Sequence, residues 1–456
     1  MTTMVRTQAL MAGAACLAGA LAVASPSREL THRVWLLGGV PDEATVTALA
    51  SAGVAGVVLP VGRVEVAPQG SRFTLSPLPN LSPIGRFPVT ALVWVEGEGK
   101  ASGDAAMFGA QFAPVARSLG TNGGLILAAR RYFPGLPFFA AGVARKLQAP
   151  VELALSAGDL SEHLPNGGWP GVRLLAFALG NPTALSFAAS TLQDDLVALA
   201  RVDTAGARFR VGIIVAPGAN PAPGPGGASL AVLANSEVAS YRPGEDGDVF
   251  ILRRAVDWGG VALEADQRVS VSVVDTARYN RDVGLILRPV RGSLEGWDTV
   301  GLPAPEPTLG MSREAFLDYL NGGLPYPSPR TEVEWPSPTT LKVSVSNPTA
   351  HGSAIATVGN WIELRFSGTV VRDLRLGEFG GVEYGRWDGE TWRRTVVRDA
   401  NTVRLYLTYV PPRARLGGVV VTFLTRPREV AARWGLRLGD GSDLVGPLRP
   451  VPLPGK

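Results

Sequence analysis

Residues 34–62 read VWLLGGVPDEATVTALASAGVAGVVLPVG, two nearly unbroken apolar runs flanking an amphipathic stretch. The runs at 34–37 and 57–61 predict strands buried on both faces, as in a parallel sheet. Between them Pro41 suits a first helical turn, Asp42 and Glu43 favour the positive end of a helix dipole, and Val46, Leu49 and Ala50 make one apolar stripe ended by Gly53. The unit is therefore strand, helix, strand, with a right-handed crossover.

The same rhythm continues. Strand-like runs fall at 89–95, 124–129, 151–155, 172–179 and 211–215, and residues 63–75 alternate as an appended hairpin. Helical stripes lie between several of them: Phe108, Phe112, Val115 and Leu119; Phe139, Val143 and Leu147; Leu192, Leu196 and Leu199 behind a capping box at Ser190 and Gln193. Strand starts recur about every 20 to 40 residues, the spacing of a (β/α)8-like barrel. Residues 249–256 and 269–274 read as an antiparallel pair, residues 285–287 as the strand that closes the barrel, and Ser312 as the cap of a helix over 313–320. A Pro-rich stretch over 324–338 predicts a linker. Beyond it, short alternating runs such as LKVSVSN, NWIELRFSG and VVVTFLT predict an all-β sandwich, with one short helical turn at 428–434. The expected class is α/β, a (β/α)8-like barrel over 32–323 followed by a C-terminal sandwich over 339–449.

Composition narrows the partners. The chain has 456 residues, 46% of them hydrophobic, which is enough for packed cores rather than disorder. A net charge of +4 with no basic residues massed on one element argues against nucleic acid. Arg6, the apolar stretch 9–21 and Ala22-Val23-Ala24 before Ser25 predict a signal peptide over 1–24 and export, to the periplasm or the cell surface. Membrane contact is then expected only through that segment, or through lipidation of Cys16 in the alternative lipoprotein reading. Cys16 is the only cysteine, so the processed chain has no disulfide. His32, His163 and His351 are far apart, and no metal site or cofactor is expected. No G-x-S-x-G elbow, P-loop or dinucleotide fingerprint stands in the right context, and the stretch Asp440, Ser442, Asp443 reads as a turn.

With that layout, the phrase AGVAGVVLP and the stretch NPTAHGSAIATVGNWIEL over 347–364, the chain resembles bacterial exported proteins of uncharacterised role that join a glycoside-hydrolase-like (β/α)-barrel to a trailing β-domain. The resemblance implies a carbohydrate-related role, with a polysaccharide or oligosaccharide as partner. It brings no diagnostic catalytic motif.

Barrel chemistry sits in the loops after the strands' C-terminal ends, and a glycosidase needs two carboxyl groups there. Glu96 and Glu98 end the third run, with Trp94 as a sugar-stacking face; Asp159, Glu162 and His163 follow the fifth. Asp257 and Trp258 close a later strand, and Trp297 and Asp298 follow the last. Glu96, Glu98, Asp159 and Asp257 are the candidate catalytic carboxylates; Trp94, Arg130, Arg131, Trp258, Trp297 and Asp298 are the candidate ligand contacts. Carboxylates in surface loops are usually only solvated. The fourth run ends in Arg130 and Arg131, where retaining glycosidases of the common barrel type carry their acid/base, and a guanidinium cannot give up a proton at working pH. It can bind an anionic sugar, or pair with rim carboxylates such as Glu96 or Asp159. The leading expectation is thus an exported, envelope-associated carbohydrate-binding protein with a degenerate hydrolase-like barrel. An active glycosidase and a non-catalytic structural envelope protein are the alternatives.

Overall fold

The computed structural model describes residues 30–67, 70–98, 104–120, 124–178, 192–215, 218–220, 230–244, 247–288, 292–305 and 309–453. The expected signal segment with Cys16, and the Ser190 cap, lie outside them.

Eight parallel strands form a closed barrel. In chain order they are β1 (Thr31–Trp35), β2 (Gly56–Ala67), which a hairpin strand β3 (Gly70–Leu75) doubles back on, then β4 (Val89–Gly97), β5 (Leu125–Ala129), β6 (Val151–Ser156), β7 (Arg173–Ala178), β8 (Phe209–Ile214) and, much later, β15 (Leu294–Val300). The last pairs with β8 on one side and β1 on the other, and β1 pairs with β2. Alternate residues divide between two cores. Val34, Val57, Leu127 and Leu153 point outward against the helices, while Trp35, Val58, Leu92, Ile126, Leu175 and Phe177 fill the barrel. This two-sided burial is why the strands read as continuous apolar runs.

The surrounding helices start where the sequence supplies a cap. Asp42, rather than Pro41, opens α1 (Glu43–Ser51), its carboxylate accepting from the Thr45 N–H at 2.7 Å. Asp104 opens α2 (Ala105–Ser118), and α3 (Leu136–Leu147), α4 (Ala157–His163) and α5 (Leu192–Thr204) follow.

Between β8 and β15 the chain builds an extra layer: α6 (Leu230–Ala234) and a four-stranded antiparallel sheet of β9 (Gly218–Asn220), β10 (Ala239–Gly244), β11 (Gly247–Leu252) and β14 (Arg268–Ser272), with a short hairpin of β12 (Val256–Asp257) and β13 (Ala262–Leu263). The expected antiparallel pair is β11 with β14. Residues 285–287, expected to close the barrel, are instead the end of α7 (Thr276–Leu287). Their apolar character belongs to a helical stripe that buries Tyr279, Asp282 and Ile286. The helix α8 (Arg313–Leu320) is capped by Ser312, as expected.

The C-terminal region is a two-sheet antiparallel sandwich. One sheet has the order β16 (Arg330–Ser337), β17 (Thr340–Ser346), β23 (Arg415–Phe423), β19 (Val371–Arg375). The other runs β21 (Trp392–Arg394), β20 (Gly381–Trp387), β22 (Thr402–Leu407), β18 (Asn360–Ser367), β24 (Glu429–Arg437), β25 (Asp443–Val445), with β26 (Arg449–Pro450) also paired to β24. Strand β16 lies inside the Pro-rich stretch read as a linker. The helical turn expected at 428–434 is β24, where Val430 and Ala432 are buried and Ala431 and Arg433 take the opposite face, a period of two. Tyr409 of the sandwich is built into the core of the extra layer, and the Ser236 hydroxyl donates to the Phe379 carbonyl at 2.8 Å, so the two regions are joined.

Candidate functional site

The two ends of the barrel differ in chemistry. At the N-terminal ends of the strands, inward positions that would normally be apolar carry Arg33, Glu152, Arg210 and Asp298. Arg33 donates to both Asp298 oxygens, with Nη2 to Oδ2 at 2.8 Å, and to both Glu152 oxygens at 2.8 and 2.6 Å. Arg210 Nε donates to Asp298 Oδ1 at 2.8 Å, and Trp35 Nε1 donates to Oδ2 at 2.8 Å. Burial by itself pushes the Asp298 carboxyl up, but Arg33 and Arg210 outweigh it and hold Asp298 below the usual range. Burial lowers the Arg33 guanidinium, and Asp298 and Glu152 more than reverse this, raising it. Two cations and two anions thus make a paired plug. On the outer side of the same strands, the His32 ring bonds to the Thr299 hydroxyl at 2.8 Å and stacks on Trp297 at 4.7 Å. Burial lowers His32 to about 4, leaving it neutral.

The C-terminal end is the open mouth. Strands β2 and β4 continue past the barrel, and a bulge between Pro60 and Gly62 reverses the facing of β2, so that Arg63 lies beside Trp94 and Glu65 beside Glu96. Arg72 and Thr74 of β3 pair with Glu65 and Arg63 in turn. A Cβ on Gly62 would overlap the Thr74 carbonyl oxygen, so the hairpin's close return requires glycine there. The result is a three-stranded wall above the mouth, with Trp94, Glu96, Glu65, Arg63 and Arg72 on its mouth-side face. Trp94 sits at its foot against the barrel-filling core and is partly exposed; Glu96 and Glu65 are exposed. Phe133, after β5, packs on Gly97 and ties the next loop to this wall.

Arg130 and Arg131 end β5 at the mouth, both exposed, and no ion pair joins either to a described carboxylate, so they do not pair with Glu96 or Asp159. Beside them Tyr132 stacks on His163 with centroids 4.0 Å apart and faces Trp169 at 6.3 Å, an aromatic shelf that sequence reasoning missed. Asp159 lies in the first turn of α4, whose N-cap Ser156 accepts from the Asp159 N–H at 3.0 Å. Glu98 is exposed beyond the end of β4.

The other candidates lie elsewhere. Asp257 is the exposed last residue of β12 in the extra layer, accepting from the Gly260 N–H at 2.6 Å. Trp258 is 1% exposed in that layer's core, so it has no face to offer a ligand. Trp297 and Asp298 do not follow the closing strand but lie within it, Trp297 against the helices and Asp298 in the plug. Their placement depended on the mistaken closing strand. Arg33, Glu152 and Arg210 were also missed; their signal is a charged residue at an inward position of an otherwise apolar strand, as in VELALS and FRVGII.

Among the described residues no group of three His, Cys, Asp or Glu side chains could hold a metal ion. A cavity of about 720 Å³ lies away from the mouth, at the sheet β16–β17–β23. Most of its charges are already engaged: Arg415 with Glu332 at 2.9 Å, Lys342 with Glu334 at 3.8 Å, and Glu378 accepting from the Gly417 N–H at 2.6 Å.

No protein-family model matches the chain, and a search of curated proteins finds no match. Among solved structures, the chain is similar to the spore cortex-lytic enzyme SleL of Bacillus megaterium QM B1551, with 13% identity and a TM-score of 0.37 over 60% of this chain and 71% of that one. It is similar to chitinase ChiA74 from Bacillus thuringiensis, with 9% identity and a TM-score of 0.37 over 91% of this chain and 100% of that one. A third likeness is to a Paenibacillus sp. cycloisomaltooligosaccharide glucanotransferase complexed with cycloisomaltoheptaose, with 8% identity and a TM-score of 0.28 over 89% and 58% of the two chains. At these values no residue role or activity transfers from them.

Proposed function

We propose that the protein binds a saccharide at the mouth of its barrel without hydrolysing it, and does so as an exported protein of the cell envelope. The observation that carries this reading is the mouth-side face of β2, β3 and β4, where a partly exposed indole, Trp94, stands among Glu96, Glu65, Arg63 and Arg72. An aromatic face with hydrogen-bonding groups on each side suits a sugar ring, which is apolar on its faces and polar at its rim. The guanidinium groups of Arg130 and Arg131 at the next strand end favour an acidic sugar.

Two features speak against hydrolysis. A glycosidase acid needs a desolvated carboxyl, and the buried carboxylates inside the barrel strands, Glu152 and Asp298, are at the opposite end and neutralised by arginine. The fourth barrel strand, moreover, ends in arginines rather than an acid. Export is supported by Arg6, the apolar stretch 9–21 and Ala22-Val23-Ala24. No helix of the described residues is long and apolar enough to cross a membrane.

A glycosidase is the second reading, and one observation favours it. Glu65 and Glu96 are register neighbours on parallel strands, which places their backbones about 4.8 Å apart, near the roughly 5–5.5 Å carboxyl separation of retaining enzymes.

A glycan-array screen of the full chain beside Glu96→Gln and Arg130→Ala separates the readings. Binding of an acidic glycan, lost in Arg130→Ala and kept in Glu96→Gln, is the expected result. No binding to any glycan would overturn the saccharide reading, and cleavage of a bound glycan that Glu96→Gln abolishes would replace binding with hydrolysis.

A further inference from the structure

The outer face of the larger sandwich sheet carries a second cluster of charge, in a different domain from the barrel mouth. Along β18, Ile362, Leu364 and Phe366 enter the sandwich core, so Trp361, Glu363 and Arg365 take the opposite face. Glu363 is nevertheless 0% exposed, because three guanidinium groups close over it. It accepts from Arg365 Nε at 2.8 Å, Arg404 Nε at 2.9 Å, and Arg433 Nε and Nη2 at 2.8 and 3.1 Å. Burial pushes Glu363 up, and its bonds to Arg433, Arg365 and Arg404 more than offset this, leaving it below the usual range.

The same guanidinium groups lie against indoles. Arg365 sits 3.7 Å from the Trp387 ring centre, and Arg404 is 4.8 Å from Trp361 and 4.5 Å from Trp392. Glycines beneath make this possible: a Cβ on Gly435 would overlap Trp361, and one on Gly385 would overlap Trp392. The indoles therefore lie close over the sheet and form, with the guanidinium groups, a layer across β21, β20, β22, β18 and β24. At about 4.8 Å per strand, that layer spans roughly 19 Å.

Its charge does not balance. Two carboxylates lie on this face: Glu363, against three arginines whose side chains keep 17%, 22% and 22% of their surface exposed, and Glu383, the ladder neighbour of Arg404, which pairs with a fourth, Arg394, at 3.8 Å. Glu363 takes up the Nε groups and one Nη of the first three, and no other described carboxylate pairs with those. A clasp that served only to hold the sheet would not need this excess. The Nη groups of Arg365, which Glu363 does not engage, match the flat two-oxygen edge of a carboxylate, and the partly exposed Trp387 beside them offers apolar surface to a sugar ring.

We propose that this face binds an extended polymer bearing carboxylates on sugar rings, a polyuronate. The low net charge of +4, with no massed basic segment, disfavours nucleic acid as the occupant.

The test is affinity electrophoresis of the full chain in gels containing polygalacturonate, neutral dextran or single-stranded DNA. The expected result is retardation by polygalacturonate that weakens with salt, none by dextran, and about tenfold weaker polygalacturonate binding in Arg365→Lys and in Trp387→Ala. The lysine variant keeps the charge and leaves Glu363 paired with Arg404 and Arg433, so it tests the guanidinium edge rather than folding. Arg254→Ala, in the extra layer, removes a charge elsewhere and is expected to bind like the parent. Absence of retardation, equal binding by both platform variants, or tighter binding to DNA would overturn the proposal. A loss confined to Glu96→Gln or Arg130→Ala would overturn it too while leaving the mouth reading in place, because those residues belong to the other domain.

Discussion

Asp298 shows how one residue can be costly and indispensable at once. Its carboxylate is fully buried, and its bonds to Arg33, Arg210 and Trp35 offset the desolvation of the charge. Asp298→Asn leaves two buried guanidinium groups short of an anion, so a loss of about 3–5 kcal/mol is expected, read as a lower denaturant midpoint with an unchanged slope. Because the folded-state pKa of Asp298 is depressed, its contribution is present above the unfolded carboxylate value and is lost as pH falls below it towards the lower folded value. His32 acts over a higher range. Its folded value near 4 lies below the ordinary histidine value of 6.5, so the unfolded chain binds a proton that the folded chain excludes. The contribution of His32 is expected to be complete well above pH 6.5 and to fall by about 3 kcal/mol as pH drops to about 4. Thermal unfolding of His32→Gln between pH 7.5 and 4.5 is expected to show a shallower pH dependence than the parent; an identical slope would refute this.

At the scale of the element, the closing strand carries both the energetics and the main sequence misreading. Strand β15 must approach β1 closely, and a Cβ on Gly296 would overlap the Thr31 carbonyl oxygen and come within 2.6 Å of Arg210 Nη1. Gly296→Ala is therefore expected to cost more than the usual 1–3 kcal/mol of an overpacked core site, because the obstacle is backbone rather than a movable side chain. The measurement is urea unfolding; a shift of under 0.5 kcal/mol would show that β15 can move outward. The same feature hid the strand. Seven barrel strands were legible because apolar residues fill both of their faces, whereas β15 presents Gly296 and Asp298 inward and lacks an apolar run. The run at 285–287 took its place in the sequence reading although it is helical. Candidate residues inherited this split. Glu96 near the end of β4, and Arg130, Arg131 and Asp159 after β5 and β6, belong to strands whose ends were readable and lie at the mouth end, whereas Trp297 and Asp298 were placed after a strand that was misassigned. The wall pairing Glu65 with Glu96 and the stack of Tyr132 on His163 were illegible because both depend on register between segments distant in sequence.

At the scale of the whole molecule, the sandwich is held to the barrel through α7. His351, 4% exposed, bonds through one ring nitrogen to the Thr276 hydroxyl at 3.2 Å and through the other to Asp318 at 2.9 Å. Arg281 donates to the Gly439 carbonyl at 3.4 Å, and Gly439 lies so close to the Asp275 carboxylate that a Cβ would overlap it. Asp275 also caps α7, accepting from the Arg278 N–H at 2.7 Å. Burial beneath the sandwich raises its pKa, against the opposing effect of the Arg278 N–H and charge. A raised carboxylate favours folding below its unfolded value, and that advantage is lost as pH rises through the higher folded value. The raised value of Asp275 thus works against docking of the sandwich at neutral pH. Asparagine keeps the helix cap, since it caps about as well as aspartate, and removes the charge. Asp275→Asn is therefore expected to raise the unfolding midpoint at pH 7 by a few degrees and to give no gain at pH 3, where the parent is already protonated. Equal gains at both pH values would mean that shape rather than charge limits the contact. A loss at pH 7 would mean that Asp275 serves as an anion for Arg278, and that burial beneath the sandwich does not control how the two domains dock.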